Sequence, residues 1–157
     1  MFKVSFKDNS KIVVKEGRKI TVIIRGIMKL PPFFHDVLPK SIFEWVEHNK
    51  LVVGQEDIAR SNMHLQVHAI ARCADGDMFD PILGERIAEA RTKIKLYKFL
   101  YTLILKLCDY YNTLLFGDGV VDSGTGDCLM KDLRKYEGLL IKEAHHLGEL
   151  LKECENG

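Results

Sequence analysis

The sequence predicts an α+β fold in which an antiparallel sheet of three to five strands packs on two long helices. Apolar and polar residues alternate through residues 1–30, which is the period of a half-buried strand. Apolar residues recur every three or four positions through about 81–116, and again through about 128–152, which is the period of a helix. A chain of 157 residues is long enough for one domain with its own core. We therefore expect residues 1–157 to form a single α+β domain.

Residues 1–30 are expected to form a three-stranded meander with two different faces. The turn clusters Asp8-Asn9-Ser10 and Glu16-Gly17-Arg18 separate the three alternating segments. One face would be apolar and would need helices to cover it; it would carry Phe2, Val4, Phe6, Ile12, Val14, Ile20, Val22 and Ile24. The other face would be basic and would carry Lys3, Lys7, Lys11, Lys15 and Arg25.

The middle of the chain predicts a short helix and one or two further strands. Ser41 and Glu44 have the spacing of a capping box, which predicts a helix over residues 41–49. Residues 51–60 could be a short strand or a loop. Residues 63–72 alternate, with Leu65, Val67 and Ala69 on one side and His64, Gln66, His68 and Ile70 on the other, and predict a strand.

A long helix is expected to follow, with Asp80 as its N-cap and Pro81 at its first position. We expect Gly84 to let this helix approach the strand closely. Its second half is apolar on two sides, so both sides need a cover. The second apolar stripe is a candidate dimer or helix-packing surface, formed by Leu96, Leu100, Leu103, Leu107, Tyr110 and Leu114.

The last helix is expected to fold back on the long helix, so that residues 81–152 form a helical hairpin. Residues 117–127 are polar and glycine-rich, which predicts a flexible loop between the two helices. Asp127 is the predicted N-cap of the last helix.

Charge is distributed unevenly along a chain whose net charge is only +1. Residues 1–30 carry eight basic groups against two acids, whereas residues 31–80 carry four basic groups against eight acids. Lysines at alternate positions of a strand could bind phosphates. Lysines on exposed strands also protect sheets from edge pairing, and the expected basic face has no aromatic residue for base stacking.

Clusters with catalytic or metal-binding chemistry do not have the spacing that such sites need. The acidic run Asp75–Asp80 does not match a calcium loop. His64 and His68 would lie about 13 Å apart along a strand, which is too far to share one ion. No phosphate-binding loop, nucleotide-binding glycine motif or serine nucleophile elbow occurs. We expect a protein that is not an enzyme and that uses no cofactor.

The four cysteines lie far apart and form no C-x-x-C pair, which is typical of reduced thiols in the cytoplasm. A disulfide joining Cys128 to Cys154, or Cys73 to Cys108, remains an alternative. The N-terminal residues do not resemble a signal peptide. The longest apolar stretch, residues 99–105, is too short to span a membrane. We therefore expect a cytoplasmic protein.

Residues 71–91 carry the pattern Ala-x-Cys, then Asp-x-Phe-Asp-Pro, then Gly, then Ile-Ala-x-x-Arg. This block resembles a segment of small uncharacterised phage and prophage proteins of Gram-positive bacteria. The similarity covers about 20 of the 157 residues. It implies a phage or mobile-element origin and the cytoplasm of a bacterial host, and it transfers no functional residue.

Three functions are compatible with these observations. The leading hypothesis is a non-enzymatic binding protein of phage type with a protein partner, for instance an anti-CRISPR-like inhibitor of a host defence nuclease. The second is a nucleic-acid-binding domain that uses the basic sheet face. The third is a structural homo-oligomer, in its simplest form a homodimer.

Overall fold

The structure, a computed structural model, describes residues 5–29, 40–49, 51–55, 62–73, 80–117 and 123–156. It confirms the α+β class: a four-stranded antiparallel sheet packs on two long helices. In chain order the elements are β1 (Ser5–Glu16), β2 (Lys19–Lys29), α1 (Lys40–Glu47), β3 (Val52–Gln55), β4 (Asn62–Arg72), α2 (Pro81–Gly117) and α3 (Ser123–Asn156).

The strands are arranged in the order β1-β2-β4-β3, and every neighbouring pair is antiparallel. Strand β4 alternates as the sequence predicted, because Leu65, Val67 and Ala69 are buried. The ambiguous segment 51–60 contributes the short strand β3, which pairs with the first residues of β4. The three-stranded meander was a wrong prediction, because residues 5–29 form a two-stranded hairpin.

The Asp8-Asn9-Ser10 cluster is a bulge within β1, and the single turn of the hairpin lies at Gly17-Arg18. The pairing of β1 with β2 shifts by one residue between Asp8 and Ser10. Polar turn-forming residues suit a bulge as well as a turn, since both interrupt regular pairing. Gly17 has a φ of 59°, a conformation that glycine adopts without a steric penalty.

The bulge exchanges the two faces of β1. Beyond it, Lys11, Val13 and Lys15 pair with Ile24, Val22 and Ile20, which are core residues of β2. Directly opposed residues share a face of the sheet. Ile12 and Val14 therefore point away from the helices, and their predicted place in the core was wrong. A shift of one residue is enough for this, because the side-chain period of a strand is two.

Helix α2 begins as predicted. The backbone N–H groups of Ile82 and Leu83 donate to the Asp80 carboxylate over 3.0 and 3.2 Å. Gly84 then lets the helix approach the sheet, since a Cβ at this position would lie 2.9 Å from Cδ1 of Ile20. The close contact is with β2, whereas the sequence had suggested the strand that precedes the helix.

Two other helix starts differ from their predicted positions. Helix α3 begins at Ser123, so Asp127 lies inside the helix and is not its N-cap. This first part of α3 contains glycines, and each glycine costs a helix about 1 kcal/mol of stability. Packing of the amphipathic face of a helix can outweigh that cost. Helix α1 begins at Lys40, which places Ser41 in the first turn and not at the cap.

The core lies between the sheet and the two long helices. Helix α2 contacts β2, β4 and α3, and is the central element. Helix α1 covers one end through Ile42 and Val46, which are buried in the same cluster as the leucines of α2. On this helix Trp45 stacks on Phe99 with ring centroids 5.3 Å apart, and the Lys106 ammonium lies 5.2 Å from the indole ring.

Candidate binding surface on the open sheet face

The two faces of the sheet have different environments. The face towards the helices holds the buried even-numbered residues of β2 and the buried odd-numbered residues of β4. We call the opposite side the outer face. Its described side chains are Lys7, Ser10, Ile12, Val14, Glu16, Lys19, Thr21, Ile23, Arg25, Ile27, Lys29, His64, Gln66, His68, Ile70 and Arg72.

No helix in the described part of the chain packs on the outer face. The sheet residues in the two core clusters lie on the helix side, and all three helices contribute to those clusters. Val14 is 36% exposed, whereas its neighbour Val13 packs against the core. The described helices therefore leave the outer face open across three strands.

The outer face is strongly basic although the whole chain is nearly neutral. Its described side chains include five cations but one carboxylate, that of Glu16. Lys7 and Lys29 lie near one end of the sheet and Lys19 and Arg72 near the other, while Arg25 lies between these two groups on β2. The surface therefore favours an anionic partner.

Between the two groups of cations the outer face carries aliphatic side chains on all three strands, together with the polar side chains of Ser10, Arg25, Gln66 and His68. Ile12 lies opposite Ile23, and Val14 lies opposite Thr21, which in turn lies opposite Ile70. These β-branched side chains are half-buried or exposed, and no described element covers them. Apolar side chains surrounded by polar and charged ones are the usual composition of a protein-binding surface.

The predicted basic face is only partly present. Lys7 and Arg25 lie on the outer face, whereas Lys11 and Lys15 lie on the helix side, so their predicted placement was wrong. Lys11 pairs with Glu89 at 3.2 Å and Lys15 with Glu85 at 4.0 Å, both on α2. Lys3 lies outside the described residues.

Three further cations of the outer face did not appear in the sequence-based set. Lys19 and Lys29 are an even number of residues from Arg25 in β2, so the strand period already placed them on its face. Arg72 is an even number of residues from His68 in β4, but its position beside Lys19 depends on the pairing of the two strands.

The candidate dimer surface on the long helix is buried within the chain. Leu96, Leu100, Leu103 and Leu107 are at most 3% exposed, and the sheet, α1 and α3 cover them. Tyr110 is half-buried against the same cluster. The side chain of Leu114 lies outside the described residues. A second copy of the chain therefore has no access to these leucines, and they act in helix packing.

All four cysteines are thiols, so neither alternative disulfide forms. Burial raises the pKa of the Cys108 thiol to about 11, and the nearby carboxylates of Asp109 and Asp132 act in the same direction. Cys154 is exposed near the end of α3. Among the described residues, no group of three or more His, Cys, Asp or Glu side chains is placed to hold a metal ion.

A shallow cleft of about 470 Å³ lies between the first half of α2 and the second half of α3. Its lining has three cations and three carboxylates: Arg86, Lys93, Lys142, Glu89, Glu143 and Glu149. His145 and His146 also line it, and Nδ1 of His145 is 3.5 Å from Oε1 of Glu149. Because its charges balance, this cleft favours neither an anionic nor a cationic ligand, whereas the outer face favours an anionic one.

No protein-family model matches the sequence, and no significant match was found among curated proteins or among solved structures. None of the helices in the described ranges combines the length and the apolarity needed to cross a bilayer.

Proposed function

We propose that this chain is a non-enzymatic binding protein that works through the outer face of its sheet. The observation that supports this most is the composition of that face, with five cations, one carboxylate and a group of exposed or half-buried aliphatic side chains. Catalytic sites are normally concave, whereas this surface is a sheet across three strands. Binding is therefore the activity that its shape and charge favour.

A narrower form of the proposal is an inhibitor made by a phage or mobile element and acting in the bacterial cytoplasm. It is supported by the resemblance of residues 71–91 to phage proteins. A host defence nuclease would then be the partner. A basic surface cannot imitate a nucleic acid, so the inhibitor would bind an acidic region of the nuclease and not compete directly for its substrate groove.

Photo-crosslinking tests whether the outer face binds a protein. Benzoylphenylalanine would replace Ile23 on the outer face, or Ile141 on α3 as a control, because Ile141 is 63% exposed away from the sheet. In a lysate of a Gram-positive bacterium we expect a discrete adduct from position 23 alone. Excess wild-type protein should remove this adduct, and the Ile23→Lys variant should not.

Identical adducts from both positions would contradict the proposal. An adduct that is suppressed as strongly by excess Ile23→Lys protein as by excess wild-type protein would also contradict it. The crosslinked protein, identified by mass spectrometry, would also test the narrower form: a nuclease supports the inhibitor hypothesis, and an unrelated enzyme does not.

A second candidate is nucleic-acid binding, which the five cations of the outer face favour. The described side chains of this face include no Phe, Tyr or Trp, so bases could not stack there on such rings. Binding would then depend on phosphates, and log K should fall against log salt with a slope of about −4.5 if all five cations contact duplex phosphates. A gel-shift titration across salt decides this, and binding that does not respond to salt would exclude it.

A homodimer is not supported by either surface. The leucines of α2 are covered within one copy of the chain. A two-fold dimer through the outer face would place the same basic patch on both partners, and like charges across an interface repel. Light scattering should therefore give the mass of a monomer.

A further inference from the structure

Arg25 lies on the central strand of the outer face, and its side chain is held in place. Its Nε donates to Oε1 of Gln66 over 2.9 Å, and Gln66 is the residue opposite it on β4. This bond leaves the two terminal nitrogens for a bidentate pair with a planar anion. A side chain that is already held loses less conformational freedom when it binds.

The neighbours of Arg25 on its own strand are aliphatic. Ile23 and Ile27 lie two residues to either side, about 7 Å away along the strand and on the same face. Ile12 lies across from Ile23 on β1. Arg25 therefore has isoleucines on either side along its strand, and the polar Ser10 and Gln66 across it. Arginine is one of the residues that are enriched in binding hot spots.

We infer that Arg25, held by Gln66 between Ile23 and Ile27, is the anchor of the outer face and binds a carboxylate on an acidic protein partner. The inference rests on the proposed function and specifies the partner. Two features favour a protein over a nucleic acid. The isoleucines need an apolar surface to cover them, and the described side chains of the face offer no Phe, Tyr or Trp ring for a base.

A peptide selection tests this with random sequences in place of the natural partner. A library of random twelve-residue peptides would be selected on the full-length protein and depleted on its Ile23→Lys variant. We expect the enriched peptides to combine Asp or Glu with aliphatic residues. Synthetic versions would then be titrated against purified variants by fluorescence anisotropy at fixed salt.

The expected affinities distinguish an anchor from a general charge effect. Arg25→Ala should weaken binding at least tenfold, and Arg25→Lys should restore only part of the loss because an ammonium cannot bind both carboxylate oxygens in the same plane. Gln66→Ala should weaken binding less than Arg25→Ala, since Gln66 acts only through the position of Arg25. Lys131→Ala, an exposed cation on α3, is the matched control and should change nothing.

The outcomes separate the inference from the proposed function. If no enriched peptide depends on Ile23, both are wrong. If the binding of the peptides depends on Ile23 but the peptides lack carboxylates, the inference alone is wrong. The same holds if the peptides bind the Arg25→Ala variant as tightly as the wild type. A 20-nucleotide DNA strand and a 20-base-pair duplex would be titrated in the same way. If either binds more tightly than the peptides and needs Arg25, then Arg25 binds a phosphate and not a protein carboxylate. Unchanged thermal unfolding of the variants would confirm that any loss of affinity is not a loss of fold.

Discussion

The Lys11 ammonium lies 3.2 Å from Oε2 of Glu89, so a lysine of the edge strand is bonded to the helix that covers the sheet. Lys93 lies 3.5 Å from the other oxygen of the same carboxylate. Burial alone would raise the pKa of Glu89, but the Lys11 hydrogen bond and the charge of Lys93 outweigh it and lower the pKa below 4.5. The pair joins β1 to α2 on the side away from the outer face.

Lys11→Met should raise the pKa of Glu89, because burial remains while one of the two cations is removed. Carboxyl chemical shifts followed through an acid titration would measure this. Because folding lowers the pKa of Glu89, its carboxylate stabilises the fold at pH values above the ordinary pKa of 4.5. That contribution is lost as the pH falls through the pKa that Glu89 has in the folded protein. The variant should therefore lose less stability than the wild type on acidification.

At neutral pH, Lys11→Met should cost less than about 1 kcal/mol of unfolding free energy, since both side chains are partly exposed to solvent. Lys15→Met is the control: Lys15 pairs with Glu85, so the pKa of Glu89 should stay near its wild-type value. An unchanged Glu89 pKa in Lys11→Met would contradict the pairing.

Gly26→Ala should destabilise the protein, because the place of a Cβ at this position is already occupied. The ring of Phe6 lies over Gly26, and the Lys7 carbonyl oxygen is 2.5 Å from the Cβ position. Overpacking of this kind costs about 1–3 kcal/mol. Gly138→Ala is the control, since a Cβ there would meet open space on a helix and should stabilise by up to about 1 kcal/mol. Urea unfolding of the two variants measures both effects, and equal stabilities would refute the contact.

The buried hydroxyl of Thr92 ties α2 to the sheet. It lies 3.1 Å from the Val22 carbonyl oxygen and 2.7 Å from that of Ala88. Thr92→Val keeps the shape but removes the donor, which should cost about 1 kcal/mol of unfolding free energy. Thr113→Val removes a similar bond to Asp109 on the exposed surface and should change stability by less than about 0.5 kcal/mol. Chemical denaturation that gives both variants the same loss would disprove this role.

Part of the β4 edge is protected by two cations of α2. Beyond the short partner β3, the carbonyl groups of His68 and Ile70 accept bonds of 2.9 Å from Lys95 and Arg91. An uncovered edge is a template for pairing with another chain. The double variant with Arg91→Ala and Lys95→Ala should therefore self-associate, as measured by light scattering after gel filtration.

Lys98→Ala is the control for edge pairing, because Lys98 is an exposed cation of the same helix. This variant should stay monomeric at concentrations where the double variant associates. If both proteins remain monomeric, the two cations do not protect the edge.

The Cys108 thiol should resist alkylation while that of Cys154 reacts. Cys108 is 7% exposed and burial raises its pKa to about 11, so few molecules carry a thiolate at pH 8. Iodoacetamide labelling followed by peptide mass spectrometry would compare the two sites. Because the folded pKa lies above the ordinary 9.0, the neutral thiol stabilises the fold below pH 9, and that contribution is lost as pH rises through about 11.

Equal labelling of Cys108 and Cys154 in the folded protein would show that the site is open. Cys108→Ser, which keeps a small polar group but cannot form a thiolate, should reduce the alkaline loss of stability. This comparison separates the effect of the thiol from that of tyrosine, since the pKa of Tyr136 is also raised, to about 12, by burial.

The features that could be predicted from the sequence depend on local signals. Asp80-Pro81 starts a helix by capping alone, and the alternation of residues 63–72 identifies a strand whichever strands it pairs with. The orientation of Lys11 and Lys15 could not be predicted in the same way, because it depends on a bulge that appears only when β1 pairs with β2.

Both candidate surfaces, on α2 and on the sheet, depend on contacts between elements that are distant in sequence. The leucines of α2 do need a cover on both sides, but α1 and α3 of the same chain provide part of it, and local periodicity cannot distinguish them from a second copy. The basic character of the sheet survives because Arg25 keeps its predicted side. One of its five cations, Arg72, lies beside Lys19 only because β4 pairs with β2.

The bulge at Asp8–Ser10 determines the charge of two surfaces, because it sets the register of β1 beyond it. Asn9 is the extra residue, since Asp8 pairs with Gly26 and Ser10 with Arg25, so removing it in frame would restore regular pairing and leave Lys11 on the helix side. If Asn9 were kept and paired opposite Arg25, the segment beyond it would exchange its faces. Lys11 and Lys15 would then join the cations of the outer face, while Ile12 and Val14 would turn towards the helices. A slip of one residue between β1 and β2 would thus change the charge of both faces without changing the sequence.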